Sequence, residues 1–280
     1  MQRYDKFQKS KRLGEKERGF MLGAERLEII QNLVIEQGFL TVEELAQKLD
    51  VSLMTIRRDL DRLSAKGIIE RCYGGATYRA ETSREKDYDL KKGQHHTSKQ
   101  AIACKAIEQI RDGDVLFLDS GTTTFEIAPL LKKRSNLTVF TNDLAIAAYL
   151  QTTDVTLFLI GGQVQKETGT LFGETALDMV SRFRFSVSFI GAMAIDAAYQ
   201  VLSPTIEKAH FKQKILSISN RNFLVADSSK FYQQAMVSVC NLDQFTGVIT
   251  DRNFSPGELK KIDEKGIMIL RAEGSITCTP

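Results

Sequence analysis

The chain has 280 residues, 42% of them hydrophobic and 26% charged, with a net charge of +3. That is enough for one large domain or two, and no apolar run approaches the roughly 18 residues that span a bilayer. The polar, basic start lacks the apolar core of a secretory signal. Cys72, Cys104, Cys240 and Cys278 are scattered, with neither metal-ligand spacing nor a disulfide framework. A reduced, cytoplasmic setting is expected, with no metal and no cofactor.

The charge is unevenly spread. Residues 1–80 carry 15 Lys and Arg against 12 Asp and Glu, whereas residues 81–280 carry 23 of each. Residues 1–20 have no sustained apolar periodicity and read as a flexible basic extension. Leu27, Ile30, Leu33 and Val34 then fall at helical spacing, with Gly38 placed to end that helix. Thr41 and Glu44 form a T-x-x-E capping box that starts a second helix, with Leu45 and Leu49 on one face. Ser52 can cap a third. "IIERCYGGATYRA" reads as a hairpin turning at Gly74-Gly75. Three short helices and a hairpin make a winged helix-turn-helix over residues 21–78, mostly α with a β-hairpin wing. The polar stretch 79–98 is expected to link it to a second domain over 99–280.

The third helix, "SLMTIRRDLDRLSAKG", decides what the first domain does. At 100° per residue Leu53, Ile56, Leu60 and Leu63 form one apolar stripe, expected to pack on the other helices. Arg58 and Arg62 lie nearly opposite it, flanked by Met54 and Thr55. Arg57 can pair with Asp61, and Asp59 with Arg62. A charged helical face is commonly just a solvated one. Here the helix is the second of a tight pair, and in that motif its N-terminal residues meet base edges in the major groove. An Arg fork on guanine is worth about 1–3 kcal/mol of discrimination.

"VSLMTIRRDLDRLSAKGIIERCYGGA", with its T-I-R-R-D-L core, G-x-I-x-R and G-G-A wing, resembles the helix-turn-helix of DeoR-type bacterial transcriptional regulators. The resemblance runs through nearly the whole chain after Met21. It implies a DNA-binding regulator, with Ser52, Thr55, Arg57 and Arg58 facing double-stranded operator DNA and Arg71 and Tyr73 on the wing. Tyr73 departs from the histidine common in relatives.

From Ser98 on, helical and strand patterns alternate, which predicts an α/β domain with a mainly parallel sheet. "KQAIACKAIEQI", "TFEIAPLLKK", "LAIAAYL" and "EKAHFKQKILSI" read as helices, and Ser255-Pro256-Gly257-Glu258 as a helix start. "VLFLD", "LTVFT", "VTLFLIGG", "FSVSFIG", "NFLVA", "TGVIT" and "IMIL" read as strands. "DVLFLDSGTTTFEIAPLL" has the form of a phosphate cradle: a strand ends at Asp119, and Ser120, Gly121, Thr122 and Thr123 turn into a helix. Many such turns only start a helix, and this is no Walker loop. Asn142, Gly161-Gly162 and the "GAMAID" loop could converge on the same place, since ligands in open α/β sheets bind beyond the C-terminal strand ends. Lys212 and Lys230 could add positive charge.

D-S-G-T-T, the strand-final G-G, G-A-x-x-I-D, Glu207 with Lys212, and "ADSSKF" are similar to the effector domain of the same family. That domain resembles sugar-phosphate isomerases and CoA transferases in fold. The resemblance implies a phosphorylated sugar or related metabolite as effector, a phosphate loop of Asp119, Gly121, Thr122 and Thr123, and ligand-site roles for Asp196, Glu207, Lys212 and Lys230. Ala194 and Gln200 stand where many relatives have glycine, in the stretch expected to shape the sugar end. The expected protein is a repressor of a carbohydrate operon, a dimer or tetramer, and not an enzyme. An isomerase-like enzyme with a DNA-binding appendage is the alternative. A purely structural nucleic-acid binder would need basic charge throughout.

Overall fold

In the computed structural model, which describes residues 23–37, 39–65, 69–72, 74–78 and 93–273, the chain divides after Arg79 into two units. The first runs α1 (Gly23–Gln37), β1 (Phe39–Thr41), α2 (Val42–Leu49), α3 (Leu53–Ala65), β2 (Ile69–Cys72) and β3 (Gly75–Tyr78). The capping box closes as expected. Thr41 Oγ1 accepts from the Glu44 N–H at 3.1 Å, and Glu44 Oε2 accepts from the Thr41 N–H at 2.8 Å. Ser52 Oγ accepts from the Thr55 N–H at 3.2 Å and starts α3. Ile30, Val34, Leu45, Ile56, Leu60, Leu63 and Ile69 are buried together between the helices and the small sheet. That sheet is antiparallel in the order β1-β3-β2. β1 was not foreseen, because three residues carry no periodicity.

Two expectations for α3 need correction. Leu53 is 42% exposed and does not join the buried stripe. Asp59 is 1% exposed and takes a place in the interior instead. Its carboxylate accepts from Arg26 Nε on α1 at 2.5 Å, and Arg62 lies at 3.8 Å. Asp61 pairs with Arg71 of β2 at 3.4 Å rather than with Arg57, so it ties the wing to α3.

The second unit begins with α4 (His96–Ile107), whose first residues lie in the stretch expected to be linker. Then follow β4 (Val115–Leu118), α5 (Thr122–Phe125), a 3-10 turn over Ala128–Lys133, β5 (Thr138–Thr141), α6 (Leu144–Leu150) and β6 (Thr156–Leu159). The hairpin β7 (Gln163–Gln165) and β8 (Thr170–Phe172) leads to α7 (Glu174–Ser181), β9 (Phe185–Gly191), β10 (Ala194–Ile195), β11 (Gln200–Ser203) and α8 (Ile206–Ser217). β12 (Ser219–Val225), β13 (Val237–Asn241), β14 (Gly247–Thr250), α9 (Pro256–Glu264) and β15 (Ile269–Arg271) complete it.

The central sheet is parallel, in the order β15-β14-β12-β9-β4-β5-β6. Its two faces are covered by different helices. Phe117, Phe185 and Leu224 pack with Phe211 and Ile215 of α8 and Val180 of α7. Leu116, Leu118 and Phe189 pack with Ile102 and Ala106 of α4 and Ile146 of α6. Chain direction across the sheet reverses between β4 and β9. After β4 the strands add on one side, and from β9 onward on the other. A parallel sheet leaves a crevice at such a switch point, outside the C-terminal strand ends.

Gly162, expected at the effector site, has a packing role. Its φ is +142°, and a Cβ there would sit 2.4 Å from the Phe172 carbonyl oxygen. Gly162→Ala is expected to lower unfolding stability by about 3 kcal/mol through backbone strain and overlap. Urea unfolding of the two proteins checks this, and equal midpoints would contradict it.

Candidate effector cleft and nucleic-acid face

The cleft opens at the β4/β9 switch point. It is lined by Asp119–Thr124 after β4, Asn142 after β5, Thr170 and Phe172 of β8, Gly191–Met193 after β9, Pro204, Lys208, Phe211 and Lys212 around α8, and Lys230. Gly121 has φ +152°, a conformation that side chains rarely adopt, and this lets the chain turn from strand to helix. The first helical bond is from the Phe125 N–H to the Gly121 carbonyl at 2.9 Å. The N–H groups of Thr122, Thr123 and Thr124 therefore have no intrahelical acceptor. Thr124 Oγ1 donates back to the Gly121 carbonyl at 2.8 Å.

The turn is braced from below. Ser120 N–H donates to Asn142 Oδ1 at 3.0 Å, and Gly121 N–H to Asp143 Oδ2 at 3.2 Å. The Ser120 hydroxyl donates to Asp143 at 2.9 Å and meets Thr170 Oγ1 at 2.5 Å. Asp143 is fully buried and also caps α6 through the N–H groups of Ala145 and Ile146. Burial pushes its carboxyl above the usual range, against the lowering effect of these hydrogen bonds. Ser120 and Asn142 thus line the cleft while their polar groups hold the loop.

Asp119 is committed too. Its carboxylate accepts from Lys212 Nζ and from the Gly191 N–H at 3.0 Å, and Lys212 also donates to the Gly191 carbonyl at 2.8 Å. Lys208 lies one helical turn before Lys212 on the same face of α8. That i,i+4 spacing is legible in the sequence. On the facing wall, Asp227 caps the turn that carries Lys230, accepting from the Ser229 N–H at 3.0 Å. Lys99 of α4 is 3% exposed and lies near Asp227 and Lys230, though it does not line the cleft. Burial lowers its pKa, Asp227 counteracts this, and Lys230 adds to the lowering.

Four expected positions do not line the cleft: Gly162, already described, and Gly161, Asp196 and Glu207. Gly161 donates its N–H to the Met179 sulfur at 3.4 Å, next to Gly162. Asp196 accepts from the Ala198 and Gln200 N–H groups, both at 2.9 Å, and closes its own turn. Glu207 is exposed in the first turn of α8, where its own N–H and Thr205 hold its carboxyl below the usual range. Ala194 and Gln200 lie in β10 and β11, away from the lining, which Ala192 and Met193 supply. On the first unit, Ser52, Arg57, Arg58, Arg62 and Arg71 are exposed and Thr55 half-buried, while Tyr73 lies outside the described residues. Among the described residues Arg57 and Arg58 form no ion pair.

The family models for these two units match. The model for the DeoR-like helix-turn-helix domain matches residues 26–82, and that for the DeoR C terminal sensor domain residues 94–252. The chain belongs to the DeoR family. This DeoR-family chain is 34% identical over 250 residues to the HTH-type transcriptional regulator GlpR of Haloferax volcanii, covering 89% of this chain and 98% of the relative. It is 36% identical over 223 residues to the glycerol-3-phosphate regulon repressor of Escherichia coli, covering 79% and 88%. Against the lactose phosphotransferase system repressor of Staphylococcus epidermidis it is 34% identical over 233 residues, covering 82% and 92%. These relatives are regulators of transcription, and the chain is a DNA-binding transcriptional regulator, not an enzyme. Among solved structures, ribose 5-phosphate isomerase from Methanocaldococcus jannaschii overlaps 48% of this chain and 53% of its own, at 14% identity and a TM-score of 0.36. That likeness is too slight to bear on function. No helix among the described residues is long and apolar enough to cross a membrane.

The turn carrying Lys230 has its own brace. Glu258, at the start of α9, accepts from Tyr232 Oη, from Arg252 Nη2 at 3.0 Å and from the Ser255 N–H at 2.6 Å. The Arg252 guanidinium lies 4.7 Å from the Tyr232 ring centroid. Burial would raise the Glu258 carboxyl, but the hydrogen bonds from Tyr232, Ser255 and Arg252 outweigh it and hold it at about 2, against an ordinary 4.5. A depressed carboxyl contributes stability that is full above its unfolded pKa and lost as pH falls through its folded one. The stability gap between wild type and Glu258→Gln is therefore expected to shrink as pH falls from 4.5 towards about 2. Urea unfolding across that window measures it, and a gap independent of pH would contradict it.

Proposed function

We propose that the chain represses a carbohydrate-metabolism operon and that a phosphorylated sugar or related phosphorylated metabolite, bound in the switch-point cleft, controls its grip on double-stranded operator DNA. One observation carries the effector assignment. The N–H groups of Thr122, Thr123 and Thr124, which have no acceptor within the helix, share a cleft with Lys208, Lys212 and Lys230. Backbone N–H groups at a helix start and ammonium groups suit a phosphate dianion, and the remaining walls, Phe172, Met193, Pro204 and Phe211, suit a small carbon skeleton. The names of the relatives, with their glycerol-3-phosphate and lactose phosphotransferase systems, support the same class of ligand. Asp119, Ser120, Gly121 and Asn142 shape and brace the phosphate loop. Asp196, Glu207, Gly161 and Gly162 act outside the cleft, on turns and packing.

On the first unit we assign Arg58 to a base edge, Arg57, Arg62 and Ser52 to phosphates or neighbouring bases, and Arg71 and Tyr73 to the wing. The effector must bind the DNA-competent and DNA-incompetent forms with different affinity, and residues 79–98 are the stretch through which that difference passes. We take the working protein to be a homo-oligomer, as paired half-sites require.

Arg58→Ala is expected to cost about 1–3 kcal/mol of operator affinity, roughly 5- to 150-fold, while the thermal shift given by the effector stays unchanged. Fluorescence anisotropy at fixed salt checks this, and unchanged operator affinity would overturn the assignment. A panel of sugar phosphates and their unphosphorylated parents tests the cleft. A true effector at about 100 times its Kd stabilises by roughly 2.7 kcal/mol. Lys230→Ala is expected to reduce that shift, and the parent sugars to give none. If no phosphorylated compound shifts the melting temperature, the effector reading fails.

A further inference from the structure

At one edge of the central sheet, β6 pairs with β5 and with nothing else among the described residues. Thr156 and Ile160 donate their N–H groups to β5 and its flank, at 3.0 and 2.8 Å. The alternation of a parallel ladder then turns the N–H groups of Leu157 and Leu159 outward. Natural edge strands carry lysine, proline or a bulge to prevent pairing with another chain. β6 reads Thr-Leu-Phe-Leu and carries none of these. Phe158 and Leu159 are 38% and 36% exposed, and Leu144 and Tyr149 on the neighbouring α6 are 40% and 37% exposed. From Leu144 to Gln165 the only charged residue is Asp154, in a chain that is 26% charged. The opposite edge differs. β15 ends on exposed Arg271, and the nearby α9 carries Glu258, Lys260, Lys261, Asp263 and Glu264.

We infer that the β6 edge, with the exposed face of α6 beside it, is where a second copy of this chain docks, continuing the sheet across a two-fold axis. Neutrality argues for a second copy over another partner. In an isologous contact a patch meets itself, so a charge near the axis would face its like, whereas an apolar patch and open backbone groups are self-complementary. A nucleic acid or a charged protein would require the opposite. The choice of occupant rests also on the reading of the chain as an operator-binding regulator, because a helix-turn-helix that reads paired half-sites works in twos. Two copies of β6 related in this way run antiparallel, with Leu157 and Phe158 near the axis.

Sedimentation velocity on the full chain, with operator binding measured in parallel, tests this. Wild type is expected at twice the chain mass or a higher even multiple. Leu159→Glu is expected to halve that mass with an unchanged far-UV circular dichroism spectrum. Met268→Glu, at the opposite edge, is expected to leave it alone. A monomeric wild type, or a Leu159→Glu variant of wild-type mass, overturns the inference. Should that variant not fold, hydrogen exchange on wild type decides. The Leu157 and Leu159 amides are expected to be protected, and rapid exchange at every protein concentration overturns the docking surface. A monomer that still binds operator DNA would remove this surface and leave the regulator standing. Wild type that binds no operator would instead remove the function on which the choice of occupant leans.

Discussion

The sensor unit depends on how one carboxylate is neutralised. Asp119 is the first residue past β4, at the point where the strand order of the parallel sheet reverses, and it is buried there. A charge so placed is tolerable only when paired and hydrogen-bonded, and removing one partner of such a pair costs about 3–5 kcal/mol. Lys212 from α8 and the Gly191 N–H from the end of β9 provide both. The ion pair therefore joins three elements distant in sequence and sets the mouth of the cleft. It also divides the lysines by role. Lys212 balances a charge of the protein itself, whereas Lys230, on the facing wall, has no ion pair among the described residues.

A similar division runs through the helix-turn-helix. Of the two aspartates on α3, one goes inward and one goes to the wing. Asp59 is held by Arg26 in the interior, and Asp61 holds Arg71. Neither neutralises Arg57 or Arg58, which stay exposed. The acidic residues of this helix thus fix the architecture of the unit and leave its positive charge facing outward. That is the arrangement a polyanion-binding surface needs, since ammonium and guanidinium groups already paired within the protein contribute less to phosphate contact.

The loop after β4 shows the same economy of polar groups. Ser120, Asn142, Asp143 and Thr170 satisfy one another beneath it, so the loop is rigid before any ligand arrives. A preorganised loop loses less conformational entropy on binding. The turn with Lys230 is held by a separate set, Asp227 on one side and Arg252, Tyr232 and Glu258 on the other. The two walls of the cleft are thus stiffened by independent hydrogen-bond networks.

Much of this was legible in the sequence. Helix starts at Thr41, Ser52 and Ser255 follow from local capping chemistry. The alternation of strands and helices follows from periodicity, and the turn from β4 into α5 from glycine and hydroxyl residues at a strand end. These signals are local, and local physics decides them. What needed the tertiary structure was whatever depends on neighbours far apart in the chain. Strand order, and with it the switch point between β4 and β9, is a matter of which strands find each other. Asp59 reads as a surface charge until Arg26 is beside it, and Leu53 as core until its end of the helix proves open. Asp196 and Gly162 lie in stretches that resemble the family's motifs, yet the Asp196 carboxylate closes its own turn and Gly162 packs against the Phe172 backbone. Residue type and spacing determine which chemistry is available. Only packing across the sheet decides which groups are consumed in holding the fold and which are left to meet a ligand.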